Sequence, residues 1–247
     1  MPPKANLAID TLAKNYEFLK KQAAINAAAP ATAKALIQLT HASLKFLVSK
    51  CNRIPLRSCV PEKSYFSFSQ KRKPGKISRA VNKDLFDADA IKKLEKAFGN
   101  NLSALPFGER ERFLYTVAMS YCCACDLLKT GDQKTPATFF ECLIGHLFAK
   151  AVGVNPRTQV EVLRLEEESS TLPTDFIFDL GTGKPKFHIP VKTSTRERVI
   201  QVFAHQRVLD GVHGFGTFTG ILVCLTETKL DHKRREVVEI CVPKQWV

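Results

Sequence analysis

A chain of 247 residues with 45% hydrophobic and 25% charged residues can bury a substantial core and has the balance of an ordinary globular protein. No run approaches the roughly 18 apolar residues that a membrane helix needs, and MPPKANLAID lacks the apolar centre of an export signal, so a cytoplasmic protein with no membrane partner is expected. The formal net charge of +13 is unevenly placed: residues 1–83 hold 16 Lys and Arg against three acids, whereas the other 164 residues hold 21 of each sign. Such a basic segment attracts a polyanion at long range and releases counterions from phosphates on contact.

Taken in chain order, residues 6–28 and 31–50 have helical spacing, with Leu12, Tyr16 and Leu19 on one face and Leu36, Leu39, Leu44 and Leu47 on the next. Pro30 separates them and predicts a helical hairpin. Residues 51–83, with three prolines and the cluster Lys71-Arg72-Lys73, read as a long irregular basic segment that orders on nucleic acid. Helices are expected at about 84–98, 107–129 and 136–152, the first capped by Asp84 and ended by Gly99. Cys122, Cys123 and Cys125 fall in the apolar run YCCACDLL, where cysteine acts as a small buried hydrophobe; their spacing does not suit zinc.

The pattern changes after Gly153. Residues 158–165 and 174–180 alternate apolar and polar side chains as half-buried strands do, GTGKP (181–185) is turn chemistry, and KFHIPV (186–191) returns as a second strand. A helix over 195–209 and strands over 218–225 and 236–242 follow, so the second half reads as an α/β unit behind a run of helices.

Three residues in separate elements then line up: Glu141 in a helix, Asp175 on a strand and Lys192 at the end of the next strand. A tight hairpin of two short strands places Asp175 beside Lys192. Phosphodiester hydrolysis at neutral pH calls for a metal to offset the developing charge, carboxylates to hold that hard cation, and a cation near the nucleophile. Asp179 lies on the same strand face as Asp175 and rivals it, the PTD context favouring Asp175. His41, His146, His188, His213 and His232 have no HxH or HxxxH spacing, which argues against a histidine-based metal site.

PTD, a hairpin and then IPVK resemble the core of the PD-(D/E)xK nucleases. The stretch from Lys192 through Arg196-Glu197-Arg198 to Gln201 is similar to the K-x-x-x-R-(D/E)-R-x-x-Q signature of type II restriction endonucleases that cut at CCGG, CCNGG or CCWGG. The resemblance covers roughly residues 136–210. It implies an α/β restriction-endonuclease-like core, assigned to residues 84–247, with a mixed central sheet flanked by helices; the placement of charge, not the resemblance, makes residues 1–83 a basic helical DNA-contacting region. The resemblance also implies a prokaryotic, cytoplasmic, Mg²⁺-dependent, homodimeric site-specific deoxyribonuclease that cuts double-stranded DNA at a short G/C-containing palindrome and leaves 5′ phosphates. Asp175 and Glu141 become metal ligands, Lys192 the catalytic lysine, and Arg196, Glu197 and Arg198 the base readers, in keeping with Arg pairing to guanine and Glu accepting from cytosine. Arg53, Arg57, Lys71, Arg72 and Lys73 would grip backbone phosphates.

The sequence departs from the pattern twice. Pro190 stands where an acid is expected two residues before the lysine, and His205 stands where that acid sits when it moves into the following helix. Either Glu141 does the second carboxylate's work, or His205 ligates a softer metal, or the site is impaired. A structure-selective repair nuclease of the same fold and a non-catalytic DNA-binding protein are the alternative readings.

Overall fold

The computed structural model describes residues 7–89, 102, 105–129, 131–165, 168–194, 198–226 and 228–239. Helices α1 (Leu7–Ile25) and α2 (Pro30–Lys50) form the expected hairpin. Pro30 begins α2 rather than merely interrupting the chain: the first helical position needs no amide donor, and the fixed φ of proline suits it. Leu19, Leu36, Leu39, Leu44 and Leu47 are fully buried, each contributing roughly 1.5–3 kcal/mol relative to exposure.

Residues 51–83 are not irregular. They form strands β1 (Cys51–Ser58), β2 (Tyr65–Gln70), β3 (Lys73–Ile77) and β4 (Val81–Asn82). Strand β2 pairs antiparallel with β1, β3 and β4. The aromatics explain this: Phe66 and Phe68 are buried and pack edge-on with each other and with Phe86. Lys71 and Arg72 make the β2–β3 turn, and Pro74 sits on β3 at the sheet edge, where a missing donor costs no ladder bond. The helix expected from Asp84 does not start there, since residues 83–85 are turn; residues 90–98 and Gly99 lie outside the described residues.

Helix α3 (Phe107–Leu128) buries Cys122, Cys123 and Cys125 as small apolar groups, and its Tyr121 ring packs between Tyr16 and Phe139. Asp126 on α3 takes both ends of a bidentate pair with Arg79, at 2.8 and 2.9 Å, and also accepts the Arg79 amide at 2.8 Å. That cation is therefore neutralised within the fold. Helix α4 (Lys134–Val152) ends on Gly153, whose φ of +76° closes the last turn in the left-handed region.

Strands β5 (Arg157–Leu165), β6 (Glu168–Asp179), β7 (Lys186–His188) and β9 (Phe218–Gly220) form the second sheet in that order, the last pair parallel. The strand expected over 186–191 is broken at Ile189-Pro190, because proline cannot donate to a ladder; it resumes as β8 (Val191–Lys192), parallel to β10 (Val223–Cys224). The strand expected over 218–225 is split at the matching place. Helix α5 (Arg198–His213) lies between β8 and β9 in sequence, and strands β11 (Thr228–Asp231) and β12 (Glu236–Glu239) are the last described elements; residues 240–242 of the strand expected over 236–242 lie outside the described residues. Strand β12 pairs parallel with β1, adding β11 and β12 to the first sheet. Alternation along β6 turns Phe176 and Phe178 toward the main core with α4 and Ile177 toward Leu209 of α5, so the two helices cover opposite faces. The apolar core runs unbroken across residue 83, taking in Leu12 and Val81 as well as Phe139 and Val191. No helix among the described residues is long and apolar enough to cross a membrane.

Candidate active site

The β6–β7 hairpin turns at GTGKP, and Ile177 lies opposite His188, Phe178 opposite Phe187 and Asp179 opposite Lys186. Extending this register brings Asp175 level with the Pro190 break. On its other side β6 slips against β5: Pro173 faces Gln159 and Ile177 faces Arg157, so four residues of β6 span two of β5. Such irregularities re-aim side chains, and this one falls on Asp175. The Asp175 carboxylate accepts two bonds on Oδ2, from Lys192 Nζ at 2.7 Å and from the Val191 amide at 2.7 Å. The Val191 amide is available because the chain leaves the β7 ladder at Pro190. Both members of the pair are mostly buried, so the ion pair is shielded from solvent screening.

Glu141 approaches from α4. Burial first, and the neighbouring Asp175 carboxylate second, push its carboxyl above the ordinary value, with Lys192 opposing them. The helix comes close because Gly145, one turn later, has no side chain against the Phe176 ring. Asp175 and Lys192 line a cleft of about 270 Å³ with Thr174, His188, Gln201 and His205. His188 Nδ1 meets Gln206 Oε1 at 3.2 Å, and burial pushes its imidazole toward the neutral form. Thr174 Oγ1 and His188 Nε2 are buried with no hydrogen-bond partner among the described residues. They are polar atoms in a cleft wall that an incoming ligand or water can satisfy.

Asp179 is otherwise engaged. It accepts from the Gly181 amide at 3.0 Å and pairs with Lys186 at 3.1 Å, and these two partners hold its carboxyl below the ordinary range. It borders a more open hollow of about 640 Å³ at the GTGKP turn, away from Lys192.

Among the described residues no three His, Cys, Asp or Glu side chains cluster as a metal cage. His205 therefore lines the cleft without making a three-ligand set with the two acids; its ring lies 6.3 Å from that of His188. Glu141 and Asp175 still fit Mg²⁺, which takes one or two carboxylates and leaves its other positions to water and substrate phosphate. The unfavourable meeting of the two carboxyls, expressed in the raised Glu141, is relieved by a cation.

Arg196 and Glu197 lie outside the described residues, and Arg198 is described only as the first residue of α5. The expected backbone-contacting cations are scattered. The Arg53 guanidinium stacks over Phe66 and Phe86 at 4.8 and 5.6 Å, Arg57 meets Glu236 at 3.2 Å, and Lys71 Nζ donates to the Ser49 carbonyl at 3.1 Å. Arg72 and Lys73 are exposed at the β2–β3 turn. Sequence reasoning passed over His188 as a cleft residue; its signal was its register opposite Ile177, two residues from Asp175, rather than any histidine spacing.

No protein-family model matches the sequence, and no curated protein matches it significantly. Among solved structures the chain is similar to the crystal structure of the Type IIP restriction endonuclease Kpn2I, with a TM-score of 0.76 and 25% identity over 96% of this chain and 82% of that one. The chain has a restriction-endonuclease-like fold, a mixed α/β arrangement with its sheet flanked by helices.

Proposed function

We propose that this chain is an endonuclease that hydrolyses phosphodiester bonds of double-stranded DNA at a short G/C-containing palindrome, acting as a homodimer with Mg²⁺. The reading is carried by the 2.7 Å contact of Asp175 with Lys192 in a cleft that Glu141 adjoins, on a fold similar to that of a Type IIP restriction endonuclease. Asp175, through Oδ1, and Glu141 would hold the cation. When bound, Mg²⁺ supplies charge neutralisation at the pentavalent phosphorus and makes water easier to deprotonate. Lys192, held on Asp175 Oδ2, reaches a phosphate oxygen or the attacking water and stabilises the negative charge that grows there. Water adds to phosphorus, the bond to the 3′ oxygen breaks, and that oxygen takes a proton, leaving a 5′ phosphate and a 3′ hydroxyl. Thr174 and His188 offer polar contacts on the cleft wall, and Gln206 fixes the His188 ring.

Recognition is assigned to Arg196, Glu197 and Arg198, which follow the catalytic lysine by four to six positions and lead into α5. Two arginines and a glutamate suit the acceptor edge of guanine and the amino group of cytosine. Arg72 and Lys73, with the other cations of the first third, would contact backbone phosphates. One active site per chain and a two-strand cut at a palindrome call for a two-fold axis. Incubation with plasmid DNA of mixed sequence and Mg²⁺ tests the reading. Discrete fragments are expected; a smear would indicate unspecific nuclease action, and retarded but intact plasmid would indicate a DNA-binding protein without cleavage.

A further inference from the structure

The hydrogen bonds behind the cleft fix which nitrogen of His188 carries its hydrogen. Gln206 of α5 donates through Nε2 to Asp210 Oδ1 and to the Phe218 carbonyl, both at 3.0 Å. Those two partners are acceptors, so the amide nitrogen faces them and Oε1 faces His188 Nδ1, 3.2 Å away. An amide oxygen only accepts. Nδ1 of His188 is therefore the protonated nitrogen, and in the neutral ring, which burial favours, Nε2 has a bare lone pair. Gly220 of β9, opposite His188 in the parallel pair, makes this lock possible: a Cβ there would stand 2.6 Å from Gln206 Oε1. Its φ is not left-handed, so the close approach of Gln206, rather than the backbone, calls for glycine.

We propose that His188 Nε2 is the hydrogen-bond acceptor that aims the attacking water at phosphorus. The assignment rests on the nuclease reading and adds to it a residue that touches the reacting atoms. Nε2 is buried with no partner among the described residues, on a side chain that lines the same cleft as Asp175 and Lys192. A bare lone pair needs a hydrogen to accept. The phosphate oxygens of a diester carry none, so this nitrogen does not serve the substrate phosphate; water does carry them. Lys192 Nζ gives one hydrogen to Asp175 and has others to give. A water that accepts from Lys192 and donates to His188 keeps a second lone pair for phosphorus. Two contacts of opposite sense fix its orientation, which the ammonium alone does not, and alignment of this kind is a large part of the barrier.

Single-turnover cleavage at saturating duplex DNA, together with ¹⁵N NMR of the histidine side chains in the full chain, tests the assignment. The wild type should show His188 protonated at Nδ1 and bare at Nε2. His188→Asn keeps a donor near the Nδ1 position and loses the acceptor; it should cut ~10²-fold more slowly with unchanged DNA affinity, as for a reactant released from its alignment. His188→Gln puts an amide oxygen near the Nε2 position and should return to within ~10-fold of the wild type, the scale of one hydrogen bond. Gly220→Ala displaces the flexible end of Gln206, and should mix the His188 tautomers and slow cleavage to a rate between those two. That variant and the wild-type spectrum keep the test decisive even where a position 188 variant fails to fold. In a wild type that cuts DNA, the opposite tautomer, His188→Asn at the wild-type rate, or His188→Gln as slow as His188→Asn would overturn the assignment and leave the nuclease reading intact. A wild type that cuts no DNA would overturn the nuclease reading, and the role of His188 with it, whatever the tautomer.

Discussion

A Cβ placed on Gly145 would lie 2.8 Å from the Cζ atom of Phe176, so α4 rests on the sheet at the residue adjoining Asp175. Glu141 is one turn earlier on the same helix, and the spacing between helix and sheet sets how near its carboxyl comes to Asp175. Gly145→Leu should therefore lower stability by ~1–3 kcal/mol through overpacking, and should also reduce cleavage by moving Glu141 outward. A thermal melt and a cleavage assay on the same preparation measure both. An unchanged melting temperature would mean that the contact does not set the spacing.

Glu141 gives the protein a pH dependence of stated sign. Burial, and then the Asp175 carboxylate, raise its carboxyl on folding. A raised acid favours its protonated form in the folded state, so its stabilising contribution is present below the unfolded value and is lost as pH rises through the folded one. Glu141→Gln should accordingly raise the melting temperature at neutral pH in chelator, with the gain fading toward pH of about 4. Mg²⁺ should then stabilise the wild type more than the variant, because the variant has lost one ligand. A variant that melts lower at neutral pH would contradict the placement of Glu141 against Asp175.

Much of this arrangement was legible in the sequence, and the rest was hidden for physical reasons. The turn GTGKP between two alternating runs fixed the hairpin, and the 17 residues from Asp175 to Lys192 put the two in register. The strands of residues 51–83 were obscured by the cations and prolines that decorate them: only the packing of Phe66, Phe68 and Phe86 reveals why a basic stretch forms a sheet. The slip of β6 against β5 at Asp175 and the loss of the ladder at Pro190 depend on neighbouring strands, which local pattern cannot supply. Strand β11 is four residues long and held by its partner β12 rather than by its own alternation. The closeness of Glu141 to Asp175 depends on Gly145 meeting Phe176, two residues 31 positions apart.

Specificity is expected to sit with Arg196. Arg196→Ala should cost ~1–3 kcal/mol of discrimination, read as the ratio of kcat/KM for the mapped site to that for a site with one G:C pair exchanged. Equal slowing on both substrates would assign Arg196 to general DNA contact instead.

The positive excess of the first third predicts a steep salt dependence. Affinity for duplex DNA should fall by ~10³-fold or more between roughly 50 and 200 mM salt if at least six phosphates are contacted. Arg72→Ala with Lys73→Ala should lower the slope of log K against log salt by about 2, since each lost phosphate contact removes about 0.9. An unchanged slope would place the β2–β3 turn away from the DNA.

The most direct test of the account is single-turnover cleavage of duplex DNA by the wild type, Lys192→Ala and Asp175→Asn, with binding of the same DNA measured in parallel. The account predicts that both substitutions reduce cleavage to background while the proteins stay folded and, for Lys192→Ala, DNA affinity changes little. Cleavage by Lys192→Ala at the wild-type rate would contradict it, because the ammonium held 2.7 Å from Asp175 would then have no part in the chemistry.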